Sequence, residues 1–180
     1  MKKTNTNING LIIIEPNVFE DTRGYFFESY NSDKFKTLGI DKSFIQDNQS
    51  LSQKGVLRGL HFQRPPYAQA KLVRVIKGAV LDIAVDIRKS SPTYGQSFAI
   101  ELSEQNKKML YIPEGFAHGF LTLENDTIFS YKCSDNYHPE VEDSILWSDK
   151  DLDIHWNIES PLVSEKDKKA QLFSSFKSPF

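Results

Sequence analysis

From residue 11 to residue 133 the sequence is a succession of short apolar runs broken by turn residues, with almost no helical spacing. Runs of strand length occupy 11–14, 25–29, 43–46, 56–63, 71–77, 79–86, 97–102, 109–112, 119–124 and 127–133. In 79–86, Leu81, Ile83 and Val85 alternate with Asp82, Ala84 and Asp86, the period-two signature of a strand with two different faces. Lys77-Gly78 between two such runs reads as a tight hairpin turn, and Asn125-Asp126 as the turn between the last two. Thr22-Arg23-Gly24 marks another turn, ahead of Tyr25. Helix signals are few. Ser32 can cap a short helix through Leu38, ended by Gly39. Ser164-Glu165-Lys166-Asp167 looks like a capping box for a short C-terminal helix. Many short strands without helices between them predict a sandwich or closed barrel and argue against a parallel βαβ fold.

A chain of 180 residues fits one domain over 1–180, large enough for a real core. A net charge of −2 argues against nucleic acid as a partner, yet leaves room for a few local cations around a small anion. The single cysteine, Cys133, cannot form an internal disulfide or a cysteine zinc site and suits a reducing compartment. The basic start Met1-Lys2-Lys3 has no apolar segment behind it, so the expectation is a cytoplasmic protein with no membrane contact. Neither G-x-G-x-x-G nor G-x-x-x-x-G-K-[ST] occurs, which disfavours dinucleotide and P-loop chemistry, and H-E-x-x-H and G-x-S-x-G are also missing.

The densest polar run is Gln46-Asp47-Asn48-Gln49-Ser50, followed by Arg58-Gly59-Leu60-His61-Phe62-Gln63 and Lys71. Arg58 and His61 are three apart, so a regular strand would put them on opposite faces. A bulge at Gly59 would bring both to one cavity. The same residues also fit a hydrogen-bonded barrel histidine and a surface arginine. Pro113-Glu114-Gly115-Phe116-Ala117-His118 is similar to the second motif of cupins, and Gly55 with His61 has the spacing of the first. Gln63 stands where the first motif has its second histidine, and no carboxylate follows it. His61 and His118 alone are too few for a cupin metal site, so no metal is expected. Tyr131 shares a strand face with Cys133 and fits either core or site, while Tyr137, His138, Glu140 and Glu142 read as loop.

Taken in order, these segments resemble the dTDP-4-dehydrorhamnose 3,5-epimerase family. The words that carry the resemblance include Phe19-Glu20-Asp21-Thr22-Arg23-Gly24-Tyr25-Phe26-Phe27-Glu28, Gln46-Asp47-Asn48, Leu57-Arg58-Gly59-Leu60-His61 and Lys71-Leu72-Val73-Arg74-Val75. They continue with Asp86-Ile87-Arg88-Lys89-Ser90-Ser91-Pro92-Thr93-Tyr94-Gly95, the His118 motif, Tyr131-Lys132-Cys133 and Ser164-Glu165-Lys166-Asp167. The resemblance implies an all-β, cupin-type jelly-roll barrel with short peripheral helices. It implies an isomerase that needs no cofactor and acts on a nucleotide sugar with a ketone at carbon 4. His61 would take a proton beside the ketone, Asp167 would orient His61, Tyr131 would return a proton on the opposite face, and Lys71 would stabilise the enolate. The family's substrate contacts match Arg23, Glu28, Gln46, Asp47, Asn48, Arg58, Lys71, His118, Glu142 and Lys166, with Tyr137 stacking on the base. The resemblance also implies a homodimer with sites near the interface, Arg23 and Glu28 reaching the partner's site. Gln49 replaces the family's usual histidine, which leaves open inversion at one carbon only, or another 4-keto nucleotide sugar. A cupin that binds such a sugar without catalysis is the further alternative, disfavoured by the presence of His61, Tyr131, Lys71 and Asp167.

Overall fold

In the computed structural model, which describes residues 1–180, the strand-length runs become two facing sheets. The first runs, edge to edge, β1 (Lys2–Asn5), β2 (Ile12–Glu15), β10 (Met109–Ile112), β7 (Lys71–Lys77), β12 (Thr127–Cys133) and β5 (Gln46–Ser52). The second runs β13 (Glu142–Ser144), β6 (Val56–Gln63), β11 (Phe116–Thr122), β8 (Ala79–Asp86) and β9 (Ser97–Ser103), with β14 (Leu162–Val163) parallel to β6. A separate hairpin joins β3 (Phe19–Asp21) to β4 (Gly24–Phe26). The two sheets form the jelly-roll barrel that the family resemblance implied.

One turn expectation needs correction. β7 pairs with β10 and β12, whereas β8 pairs with β9 and β11, so Lys77-Gly78 is a corner between sheets and not a hairpin. Asn125-Asp126 likewise carries the chain from β11 in one sheet to β12 in the other. Gly78 at φ +77° and Asp126 at φ +54° take the left-handed conformation that tight hairpins also use. A barrel corner and a hairpin therefore ask for the same residues. The run at 43–46 is also displaced: the strand starts at Gln46 and ends at Ser52. Its inward positions are polar because they face a pocket, so no apolar alternation announced it.

The alternation in β8 is resolved into two covered faces. Val80 and Ala84 join Val73, Leu110, Phe120 and Phe129 in the core between the sheets. Ile83 and Val85 turn outward against Leu60, Phe62, Ile145, Trp156 and Phe176, so the C-terminal third of the chain wraps the second sheet. The first sheet is covered by α1 (Ser32–Thr37), whose Phe35 packs with Ile14, Leu72 and Met109. Its cap is Asn31, one residue before the expected Ser32, and the Asn31 side chain accepts from Lys34 N. No helix is long and apolar enough to cross a membrane.

The segment after β8 is held by one carboxylate. Asp86 accepts hydrogen bonds from Arg88 Nε at 2.8 Å, Ser91 Oγ at 2.6 Å and Thr93 Oγ1 at 2.6 Å. Burial alone would raise its pKa, but these donors outweigh it and bring the pKa down to about 2. A carboxyl depressed in the fold contributes stability above its unfolded pKa of about 3.9 and loses it as pH falls through the folded value. Asp86→Asn is expected to lower unfolding free energy by about 3 kcal/mol at neutral pH. The gap to the parent chain should close between about pH 4 and pH 2, as read by denaturant melts at each pH.

Candidate active site

The site begins with an irregularity in β6. On β11 His118 and Phe120 are two apart, but their partners on β6 are His61 and Arg58, three apart. One extra residue is thus inserted around Gly59. The consequence is visible in the packing: Leu57 faces the outer core, and so do Leu60 and Phe62, a switch of parity. Arg58 and His61 therefore both line one pocket. Gly59 lies at φ +130°, and a Cβ there would fall 2.5 Å from Gly119 Cα, so only glycine fits.

His61 Nε2 lies 2.5 Å from Asp167 Oδ1. Asp167 comes from the far end of the chain through α2 (Glu165–Lys168), which runs beside β6 because β14 pairs in parallel with Val56 and Leu57. Ser164 caps this helix, accepting from Asp167 N at 3.1 Å, which sets the backbone from which the carboxylate projects. Burial pushes the Asp167 carboxyl up, but the hydrogen bond and charge of His61, with Gly59 N–H and Ser164, hold it below the ordinary carboxylate range. An ionised Asp167 accepts a hydrogen bond from Nε2–H, which leaves Nδ1 as the basic nitrogen of the neutral ring. Ser164→Ala is expected to cost about 1 kcal/mol of stability by loss of the cap. It should also reduce turnover, because Asp167 then loses its fixed origin; urea unfolding and initial rates check both.

The opposite wall belongs to the first sheet. Tyr131 and Phe129 of β12 and Lys71 of β7 face His61 and His118 across a pocket of about 580 Å³. Burial raises the Tyr131 phenol, keeping it protonated. Burial lowers the Lys71 ammonium, while charge on Cys133, Asp82 and Glu142 opposes that. His118 Nε2 lies 2.9 Å from Asp82 Oδ2, and burial lowers this histidine too. Asp82 is fully buried, and its other oxygen has no hydrogen-bond partner. Sequence reading missed Asp82 as part of the site, although it was the one charged residue between apolar neighbours on that face of the alternation.

A second lobe of about 310 Å³ shares His61, Lys71 and Tyr131 and adds Gln46, Asn48, Tyr137 and Glu142. Glu142 Oε2 accepts from Tyr137 Oη at 2.7 Å and from Lys166 Nζ, tying the loop before β13 to α2. Burial raises the Glu142 carboxyl, and these two donors outweigh it, so it is held low. Three of the expected contacts lie elsewhere in the isolated chain. Arg23 sits on the β3–β4 hairpin, paired with Asp21 at 2.6 Å and largely exposed. Glu28 pairs with Lys34 at 2.8 Å. Asp47 lies on the outer face of β5 and pairs with Lys132 at 2.8 Å, its neighbours Gln46 and Asn48 pointing inward. Gln49 follows the parity of Asp47, not that of Asn48.

A carboxylate-held histidine on one sheet and a protonated tyrosine on the other of a jelly-roll barrel have the chemistry to accept and donate protons at a ligand between them. The comparisons narrow that chemistry. The family model for dTDP-4-dehydrorhamnose 3,5-epimerase matches residues 5–175. The chain is 51% identical over 174 residues to the dTDP-4-dehydrorhamnose 3,5-epimerase of Shigella flexneri, covering 96% of each. Among solved structures it is similar, at TM-score 0.94 and 48% identity, to a dTDP-6-deoxy-D-glucose-3,5-epimerase from Legionella pneumophila in complex with dTDP-4-keto-L-rhamnose. The match covers 98% of this chain and 94% of that one. A dTDP-4-dehydrorhamnose 3,5-epimerase from Bacillus anthracis with TDP and PPi bound gives TM-score 0.94 at 46% identity, over 96% and 99% of the two chains. The chain belongs to the dTDP-4-dehydrorhamnose 3,5-epimerase family.

Proposed function

We propose that this chain epimerises dTDP-4-dehydro-6-deoxy-D-glucose at carbons 3 and 5, giving dTDP-4-dehydro-L-rhamnose. What carries the reading is that His61, bonded to Asp167, and Tyr131 enter one pocket from opposing sheets. The ketone at carbon 4 acidifies the hydrogens on carbons 3 and 5. His61 Nδ1 removes one as a proton, the electron pair of the C–H bond becomes the enolate, and Asp167 stabilises the resulting imidazolium. Lys71 lies against the same pocket as a cation for the enolate oxygen. Tyr131 Oη delivers a proton to the other face of the carbon; the tyrosinate then recovers a proton from solvent and the His61 imidazolium releases one to it. The sum is inversion with no net redox change.

Arg58 and Lys166, both on the pocket wall, serve the diphosphate, where a guanidinium fork gives paired charge-assisted bonds. His118, held by Asp82, orients the sugar, Gln46, Asn48 and Glu142 line the adjoining lobe, and Tyr137 stacks on the base. The protein works as one cytoplasmic domain over 1–180 in a homodimer, where the exposed hairpin carrying Arg23, followed by Glu28, reaches the partner's site. The exposed Phe19 and Phe26 of that hairpin support burial against a second copy.

The test is proton NMR of the 4-keto sugar nucleotide in deuterium oxide, with the product trapped by a reductase. Deuterium at carbons 3 and 5 with inversion at both is expected. Deuterium at one carbon would make the chain a single-centre epimerase. Absence of exchange would overturn the proposal.

A further inference from the structure

Position 63, where the cupin motif has its second histidine, carries a glutamine that the proton-transfer scheme does not use. Gln63 is two residues past His61 on β6 and 4% exposed. Both N–H donors and the carbonyl oxygen of its amide are engaged with two loops. Nε2 donates to Tyr67 O at 2.7 Å and Asn136 O at 3.1 Å, and Oε1 accepts from His138 N at 2.7 Å. Gln69 reinforces the clamp, its Nε2 donating to Asp135 O at 2.8 Å and Asn136 O at 3.2 Å. The two loops are further joined by stacking of Tyr67 on His138, centroids 3.8 Å apart and 15° between planes.

Between the clamped Asn136 and His138 stands Tyr137. Its N–H donates to Gln46 Oε1 at 2.7 Å, its hydroxyl is fixed by Glu142, and the residue is 52% exposed. A buried amide thus locks the backbone on both sides of an exposed ring. Holding a large aromatic rigid in water gains the free protein little burial, but it removes the ordering cost when a flat ligand stacks on that ring.

We propose that Gln63 is a positioning residue that presets Tyr137 for the base of the nucleotide, and so acts on nucleotide affinity and not on proton transfer. The inference rests on the nucleotide-sugar function proposed above.

The experiment uses the full chain and dTDP itself as the calorimetric probe, with Gln63→Met, Tyr137→Ala and the double variant. Methionine keeps the length and removes the donors and the acceptor. The dissociation constant for dTDP is expected to rise about tenfold in Gln63→Met, a size set by two to three lost hydrogen bonds on the loop. KM should rise in parallel, with kcat within about twofold. The double variant should bind no more weakly than Tyr137→Ala, because Gln63 acts through that ring. Unchanged dTDP affinity in Gln63→Met, a fall in kcat at constant affinity, or additive losses in the double variant would each overturn the inference. Should Gln63→Met fail to fold by circular dichroism, Gln69→Ala removes the companion amide and must show the same loss of affinity in milder form. Wild-type protein that binds no dTDP would overturn the proposed function itself, an outcome read without any variant.

Discussion

His61→Ala is expected to abolish deuterium uptake at both carbons, with turnover reduced by roughly 10²–10⁴-fold, the usual contribution of a positioned general base. The size follows from the arrangement. No other histidine on the pocket wall replaces it, because His118 is buried and burial lowers its proton affinity. Asp167 cannot serve instead, since it is set back behind the position of the imidazole, its side chain only 4% exposed. Alanine also removes the partner of a buried carboxylate, leaving Gly59 N–H at 3.4 Å as its nearest remaining donor outside the helix. A stability loss of a few kcal/mol is therefore expected alongside the catalytic one. His61→Gln separates the two, because its amide nitrogen lies as far along the side chain as Nε2 and can still donate toward Asp167, but it cannot act as a base near neutrality. It should fold close to wild-type stability and remain as inactive as the alanine variant. Uptake of deuterium at the wild-type rate in either variant would remove His61 from the mechanism.

The sequence announced the barrel better than its corners. Period-two alternation in 79–86 correctly anticipated a strand with two faces, because both faces are covered and each imposes its own chemistry. What alternation cannot encode is which sheet the next strand joins, since Gly78 turns the chain sharply in either case. That is a tertiary choice, decided by packing between β7 and β12 on one side and β8 and β11 on the other. The strand 46–52 was hidden for a related reason: a strand that faces a polar pocket has no apolar period to read. In the site, the parity conflict between Arg58 and His61 was legible, and so was its remedy at Gly59, because a strand has only two faces. The contact of His61 with Asp167 was not derivable from spacing. It depends on β14 docking in parallel beside β6, a two-residue strand with no signal of its own, and came only through the resemblance. The partners of Asp82 and Gln63 were not legible in the sequence, since what a buried polar side chain bonds to is set by tertiary packing.

Tyr131→Phe is expected to separate exchange from inversion. The variant should fold, because the ring packs against the core beside Phe129, 6.0 Å between centroids, and only the hydroxyl is lost. His61, Asp167 and Lys71 remain, so the C–H bond still breaks and the enolate is still stabilised. The imidazolium then exchanges its proton with solvent and returns deuterium to the face from which the proton left. Inversion needs a donor on the other sheet; Lys71 there is committed to the enolate oxygen, and Phe129, the remaining group from β12, carries no acidic proton. Inverted product should therefore fall by roughly 10²–10³-fold, as expected when one member of an acid–base pair is removed. Deuterium should meanwhile continue to enter substrate recovered with its configuration unchanged. Single-turnover NMR reads both quantities in one sample. If exchange and inversion fell together, Tyr131 would share in breaking the C–H bond, and the two sheets would no longer divide the two proton transfers. If inversion persisted unimpaired, the acid would lie elsewhere on the wall. The retained exchange is thus the discriminating signal, because it arises only where the base on one sheet acts without the acid on the other.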